Sequence, residues 1–314
     1  MDVLPKRPLP EIDWMQPVPE WLKGEYPFAQ NSHALPGGLQ MNYVDHGEGE
    51  PVLLLHGNPT WSYFYRKAIQ QLSDTGFRCI APDHIGCGLS DKPQDYQYTL
   101  ANHIGNLENL ANHLQLEGVH LVVHDWGGAI GFGWATRHPE KVRSLTVLNT
   151  AAFLSKRIPL RIAVCKIPWY GEFVVRQFNA FAGFATTMAV EKPLPKEVAD
   201  GFVYPYDNYA NRIATARFVK DIPMNPRHPS WDTLSEIEQK LPSLKHLPMQ
   251  IHWGMKDWCF SPHFLATWKE LFPGANVQEY ADAGHYLLED AGDEILPGLV
   301  KNLQGVGESL PDAP

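Results

Sequence analysis

The sequence predicts an α/β fold: a mostly parallel sheet covered by helices on both faces and interrupted by a helical insertion. Three observations predict it. Short β-branched runs alternate with amphipathic stretches through the first half and again near the C-terminus. Residues 153–231 break that rhythm with helical patches alone. An apolar strand at Leu121–His124 runs straight into a tight turn and a run of small residues. Alternation of this kind implies parallel strands with a helix crossing between them.

In chain order, Met41 to Asp45 and Val52 to His56 read as strands, and Tyr63 to Leu72 as an amphipathic helix. Phe77 to Ala81 is the next strand and Leu100 to Leu116 the next helix, followed by strands at His120 to His124 and Leu145 to Asn149. Met249 to Trp253 and Val277 to Tyr280 are two more, with a helix at Pro262 to Leu271 between them. The expected division is a core of residues 1–152 and 232–314 with a helical cap at 153–231. The cap's patches are Arg157 to Lys166, Gly171 to Ala182, Lys196 to Val203 and Asn208 to Val219, punctuated by prolines. Their richness in Phe, Tyr, Trp and Met suits a lid over an active-site edge.

The chain has 314 residues, more than one compact domain usually needs, which accords with a core plus a sizeable insertion. Its 44% hydrophobic and 19% charged content is that of a globular protein. A formal net charge of −9 and the lack of any Lys/Arg run argue against a nucleic-acid partner. Met1 to Pro8 carries two basic residues with no apolar stretch behind them, so no signal peptide is expected. No run of about 18 apolar residues exists to span a membrane. Cys79, Cys87, Cys165 and Cys259 are scattered, as thiols in a reducing compartment would be, so a cytoplasmic location is expected.

The most informative stretch is Leu121-Val122-Val123-His124-Asp125-Trp126-Gly127-Gly128-Ala129-Ile130-Gly131. Strand, turn and helix succeed one another as in a nucleophile elbow, which in serine hydrolases reads G-x-S-x-G. Here Asp125 holds the central position, while Val123 stands where a small residue is usual. A helix N-terminus favours an ionised carboxylate. Such a group needs no base before it attacks saturated carbon and forms an ester. Alone, Asp125 could equally be a helix cap.

Its expected partners decide between these readings. His56-Gly57-Asn58-Pro59 ends another strand, so the backbone N–H groups of Asn58 and Trp126 are the candidate oxyanion donors. His285, one of 14 histidines, comes after the last strand and fits a general base that activates water against the ester. Asp257, after the penultimate strand, is the candidate acid that orients it; the other position used in this fold holds Asn149, an amide without charge. Asp282 and Asp83 read as turn and loop residues. The indole N–H of Trp126 and the side-chain amide of Asn58 are donors suited to a departing halide.

These segments, His56 to Trp61, Val122 to Gly128 and those around Asp257 and His285, resemble haloalkane dehalogenases from about Gly38 to Gln304. The resemblance implies an α/β-hydrolase fold with an eight-stranded, mostly parallel sheet and a helical cap. It further implies displacement by Asp125, halide held by Asn58 and Trp126, and hydrolysis through His285 and Asp257, without cofactor or metal. Arg157 to Ile162, Asn179 to Ala182 and Asp257 to Phe260 look like the third dehalogenase subfamily, which overlaps with the β-lactone decarboxylases of bacterial long-chain olefin biosynthesis. Haloalkane dehalogenase is thus the first expectation and β-lactone decarboxylase the alternative; the substrate is a small apolar haloalkane or β-lactone.

Two further readings stay open. An epoxide hydrolase would draw acidic hydroxyls from Tyr170, Tyr204, Tyr206 or Tyr209, although Asn58 occupies a position typically aromatic there. A non-catalytic receptor can share any enzyme's fold. A metal site lacks support, since no H-E-x-x-H occurs and His124 has no ligand cluster. The glycines at 127, 128, 131 and 133 do not have dinucleotide-binding spacing.

Overall fold

The computed structural model describes residues 18–309. The N-terminal reading of Met1 to Pro8 lies outside the described residues. Eight strands form one sheet: β1 (Gln30–Ala34), β2 (Gln40–His46), β3 (Glu50–Leu55), β4 (Phe77–Pro82), β5 (Val119–Asp125), β6 (Val142–Thr150), β7 (Met249–Gly254) and β8 (Asn276–Tyr280). Their order is β1-β2-β4-β3-β5-β6-β7-β8, with β2 antiparallel to both β1 and β4 and every other pair parallel. The seven strands read from the sequence are all present. The eighth, β1, reads Gln-Asn-Ser-His-Ala on the sheet edge with no fully buried residue, so it carries no hydrophobic signal.

The sheet has two buried faces because strand side chains alternate. Leu53, Leu55, Leu121 and Val123 pack with α2 (Leu100–His113), α3 (Trp126–Ala135), α9 (Trp231–Lys240) and α10 (Pro262–Leu271). Val52, Leu54 and Val122 face α1 (Arg66–Ser73) and α12 (Gly292–Ser309) on the other side. β5, buried along its whole length, is the central strand.

From β3 the chain crosses to β4 on one side, and β5 then enters on the other. The strand order therefore reverses between β3 and β5. Open parallel sheets bind ligands outside the carboxyl ends of the strands at such a switch point. Leu55 pairs in register with Val123, so the segments leaving the two strands, His56–Pro59 and Asp125–Trp126, emerge side by side.

Between β6 and α9 lie α4 (Leu160–Cys165), α5 (Tyr170–Phe178), α6 (Ala182–Met188), α7 (Lys196–Val203) and α8 (Ile213–Lys220). The helix expected at Gly171 to Ala182 is in fact two. Asn179, at φ 50°, caps α5 in the left-handed conformation, and α6 starts afresh at Ala182. The patch from Arg157 shrinks to α4 because Pro159 stands at its N-cap. That from Asn208 opens with a short 3₁₀ turn at Ala210–Arg212 before α8. α11 (Leu287–Asp290) comes directly after the His285 loop.

Candidate active site

Asp125 ends β5 and caps α3 with φ 49° and ψ −125°, a conformation an L-residue holds only under constraint. The Thr150 hydroxyl donates to its carbonyl oxygen from the neighbouring strand. Two glycines make room behind it. A methyl on Gly127 would overlap the Leu55 carbonyl, and one on Gly128 the Thr150 side chain.

The turn points the carboxylate at the end of β3. The Asn58 backbone N–H donates to Asp125 Oδ1 at 2.6 Å, and the Trp126 backbone N–H is a second donor. The two groups expected to form an oxyanion hole thus converge on the carboxylate. Burial raises the Asp125 carboxyl above its ordinary value, so the site does not simply hold it ionised as the helix terminus alone would. His285 and the two N–H donors pull in the opposite direction.

His285 faces it from the loop after β8, with Nε2 3.7 Å from Asp125 Oδ2 and Nδ1 2.8 Å from Asp257 Oδ2. Burial acts to lower the imidazole pKa, but the charge of Asp257, the hydrogen bond to it and the charge of Asp125 outweigh this, and the net shift is upward. Asp257 is itself pinned. The Cys259 and Phe260 N–H groups donate to Oδ1 at 2.6 and 3.0 Å, and Asn149 Nδ2 donates to Oδ2 at 2.9 Å. Asn149, set aside as the acid, therefore braces the carboxylate that lies beside His285. His124, adjacent to Asp125 in sequence, stacks on Phe64 and bonds the His285 carbonyl at 2.9 Å. Burial holds its pKa well below normal, so it serves as a neutral prop.

The residues read as structural are placed accordingly. Asp83 is buried and accepts from Ser62 N–H, Leu89 N–H and Asn42 Nδ2. Asp282 lies in the exposed turn after β8, paired with Lys256 at 2.9 Å. All four cysteines are free, with Cys79 and Cys87 buried.

Two apolar cavities leave the site. One is lined by Asp125, Trp126, Phe153, Ile158, Leu234 and Phe264 among others. The other runs past His285 to Val174, Phe184, Ala185, Met188 and Trp258. They share Asn58, Ile162, Phe181 and Cys259. The Asn58 amide Nδ2 donates one N–H to the Thr215 carbonyl at 3.2 Å, and its Oδ1 is buried with no protein partner. None of Tyr170, Tyr204, Tyr206 and Tyr209 lines either cavity; the Tyr206 hydroxyl is engaged with the Thr60 carbonyl at 3.2 Å.

Cys259 is the residue that sequence reasoning missed. Its thiol, the Asp125 carboxylate and the His285 ring bring ligand atoms within 4.8 Å of one another, the sole such grouping among the described residues. Burial, then the charges of Asp257 and Asp125, push the thiol pKa well up. A thiol so placed is held in its neutral form and forms part of the wall beside Asp125. Its closeness to Asp257 in the sequence was the available signal.

A strained strand–helix turn at the switch point of an eight-stranded sheet defines an α/β-hydrolase. The chain belongs to the alpha/beta hydrolase fold family, which it matches over residues 50–292. More particularly, it is similar to two proteins named cis-3-alkyl-4-alkyloxetan-2-one decarboxylase. That of Shewanella oneidensis is 47% identical over 266 residues, covering 82% of this chain and 83% of that protein. That of Xanthomonas campestris pv. campestris is 44% identical over 275 residues, covering 83% and 91%. Haloalkane dehalogenase 2 of Mycobacterium tuberculosis is 30% identical over 266 residues, covering 83% and 91%. The crystal structure of a haloalkane dehalogenase from Bradyrhizobium elkani matches with a TM-score of 0.82 at 26% identity, covering 90% of this chain and all of that one. Similarity thus favours the alternative placed second from the sequence over the dehalogenase placed first.

Proposed function

We propose that the chain is a β-lactone decarboxylase, converting a cis-3-alkyl-4-alkyloxetan-2-one to an alkene and CO₂. The observation that carries this reading is the pair of apolar arms diverging at Asn58 and Cys259. A ring bearing one alkyl chain on each of two adjacent carbons needs two arms, whereas a linear haloalkane needs one. The helices α4–α8 act as the cap that covers the ring and helps line both arms.

Asp125 attacks C4 of the lactone from behind, forming a C4–O ester bond and breaking the ring C4–O bond. The released carboxylate remains on C3. Its C–C bond then breaks, the electron pair forms the C3=C4 double bond, and the C4–O bond to Asp125 returns its electrons to the aspartate. CO₂ and alkene leave, and Asp125 is regenerated. Inversion at C4 and then anti elimination make a cis alkene from a cis lactone. No water is consumed. His285, its pKa raised and steadied by Asp257, supplies an imidazolium that stabilises the carboxylate formed on ring opening.

The test is a paired assay of purified protein on a long-chain cis-3,4-dialkyl β-lactone and on a bromoalkane of equal chain length. Alkene and CO₂ formed much faster than halide support the reading. Halide release outpacing alkene formation would return the function to haloalkane dehalogenation.

A further inference from the structure

The outer surface of α4–α6 is unusually apolar beside an ordinary globular helix, whose outer face is polar. α4 turns Leu160 and Val164 outward, α5 turns Tyr170 and Phe173, and α6 turns Phe184 and Met188. Each pair has helical spacing, so each helix presents an apolar stripe to the outside. Trp169, 89% exposed, and Phe178, 67% exposed, bracket α5, and Ile167 lies open between α4 and α5. Only two other large hydrophobic side chains among the described residues are exposed, Trp21 and Tyr209.

The same segment has the opposite charge balance to the whole. Residues 156–188 carry Lys156, Arg157, Arg161, Lys166 and Arg176 against the single acid Glu172, in a chain of net charge −9. Glu172 is occupied by Arg176 at 2.9 Å, by Arg217 at 3.4 Å and by Lys220. Lys156, Arg157 and Arg161 are exposed and have no acidic partner among the described residues. Arg161, Phe184 and Met188 also line the second arm of the cavity, so that arm reaches the surface within this face.

The geometry points to this face docking on the surface of an anionic lipid bilayer. Aromatic and aliphatic side chains enter the headgroup–acyl boundary while the neighbouring cations meet lipid phosphates, the two signals that together hold a protein on a membrane. No helix among the described residues is long and apolar enough to cross one, so the protein would lie on the surface. A second copy of the chain fits less well, because two such faces bring like charges together. Docking opens an apolar arm directly toward the phase in which long alkyl chains dissolve.

The experiment is sedimentation of the full chain with phosphatidylcholine vesicles, with and without phosphatidylglycerol and with no substrate, so it is independent of the proposed chemistry. At least tenfold stronger binding to the anionic vesicles is expected, weakening as salt rises to about 0.5 M, where charges are screened within a few ångströms. The triple variant Trp169→Ser, Phe173→Ser, Phe178→Ser is expected to lose that binding at least tenfold with an unchanged melting temperature. Equal binding to neutral and anionic vesicles, no binding, or full binding by the triple variant would overturn the assignment. So would self-association that the triple variant abolishes in place of vesicle binding.

Discussion

At Asp125 the backbone is bent into a conformation that Thr150, Gly127 and Gly128 together maintain, and the carboxylate is buried between two N–H donors and His285. Asp125→Asn keeps the shape and removes the proposed nucleophile, so the proposed decarboxylation should fall by at least about 10³-fold while the protein still melts as a single folded unit; residual activity near the parent level would exclude an ester at this residue. The pH profile carries a second expectation. The proposed attack requires Asp125 to be ionised, and burial raises its pKa, which should set an acid limb above the usual carboxylate range. In the proposed mechanism His285 acts as imidazolium, and its raised pKa means the charged form persists above 6.5 and is lost as pH rises further. The decarboxylation rate should therefore decline on the alkaline side, whereas ester hydrolysis through a neutral His285 would rise there. That Asp125, Asn58, Asp257 and His285 come together was legible because each stands just beyond a strand end in a recognisable order. Cys259 and the bracing role of Asn149 were not, since both depend on contacts between β6, β7 and the loops beyond them.

Among the elements, α11 anchors the loop bearing His285. Arg66 of α1 makes a two-pronged ion pair with Glu289 of α11, at 2.5 and 3.0 Å, with both side chains nearly inaccessible. Glu289→Gln strands the buried guanidinium with only the half-exposed Glu25 to answer it, a loss of about 3 kcal/mol. Thermal unfolding should shift down by several degrees, and an unchanged midpoint would mean the pair contributes little. The inserted helices line much of the second arm. Ala185→Trp fills it from α6 and should cut kcat/KM about tenfold or more for a lactone with long chains on both carbons, while sparing one whose chain on one carbon is a methyl group. Equal losses on both substrates would detach the arm from chain recognition. The sequence showed that this region was helical, but α6 escaped it. The break at Asn179 depends on a left-handed residue that helical periodicity does not register.

For the molecule as a whole, strand order determines where chemistry can occur: the reversal between β3 and β5 sets the Asn58 and Trp126 amides side by side. Alternating strands and helices made the parallel sheet legible, whereas the polar edge strand β1 was silent. Substrate choice was the least legible feature, because the two arms are built from residues as far apart in sequence as Phe153, Met188 and Phe264. The central claim is that an Asp125 ester collapses by elimination without water. Multiple turnovers of the cis lactone in ¹⁸O-labelled water, with mass analysis of the Asp125 peptide afterwards, test this most directly. The expected result is alkene in full yield and an unlabelled Asp125 carboxylate. Label in Asp125 together with a hydroxy acid product would contradict it, because that is the outcome of a hydrolysed ester.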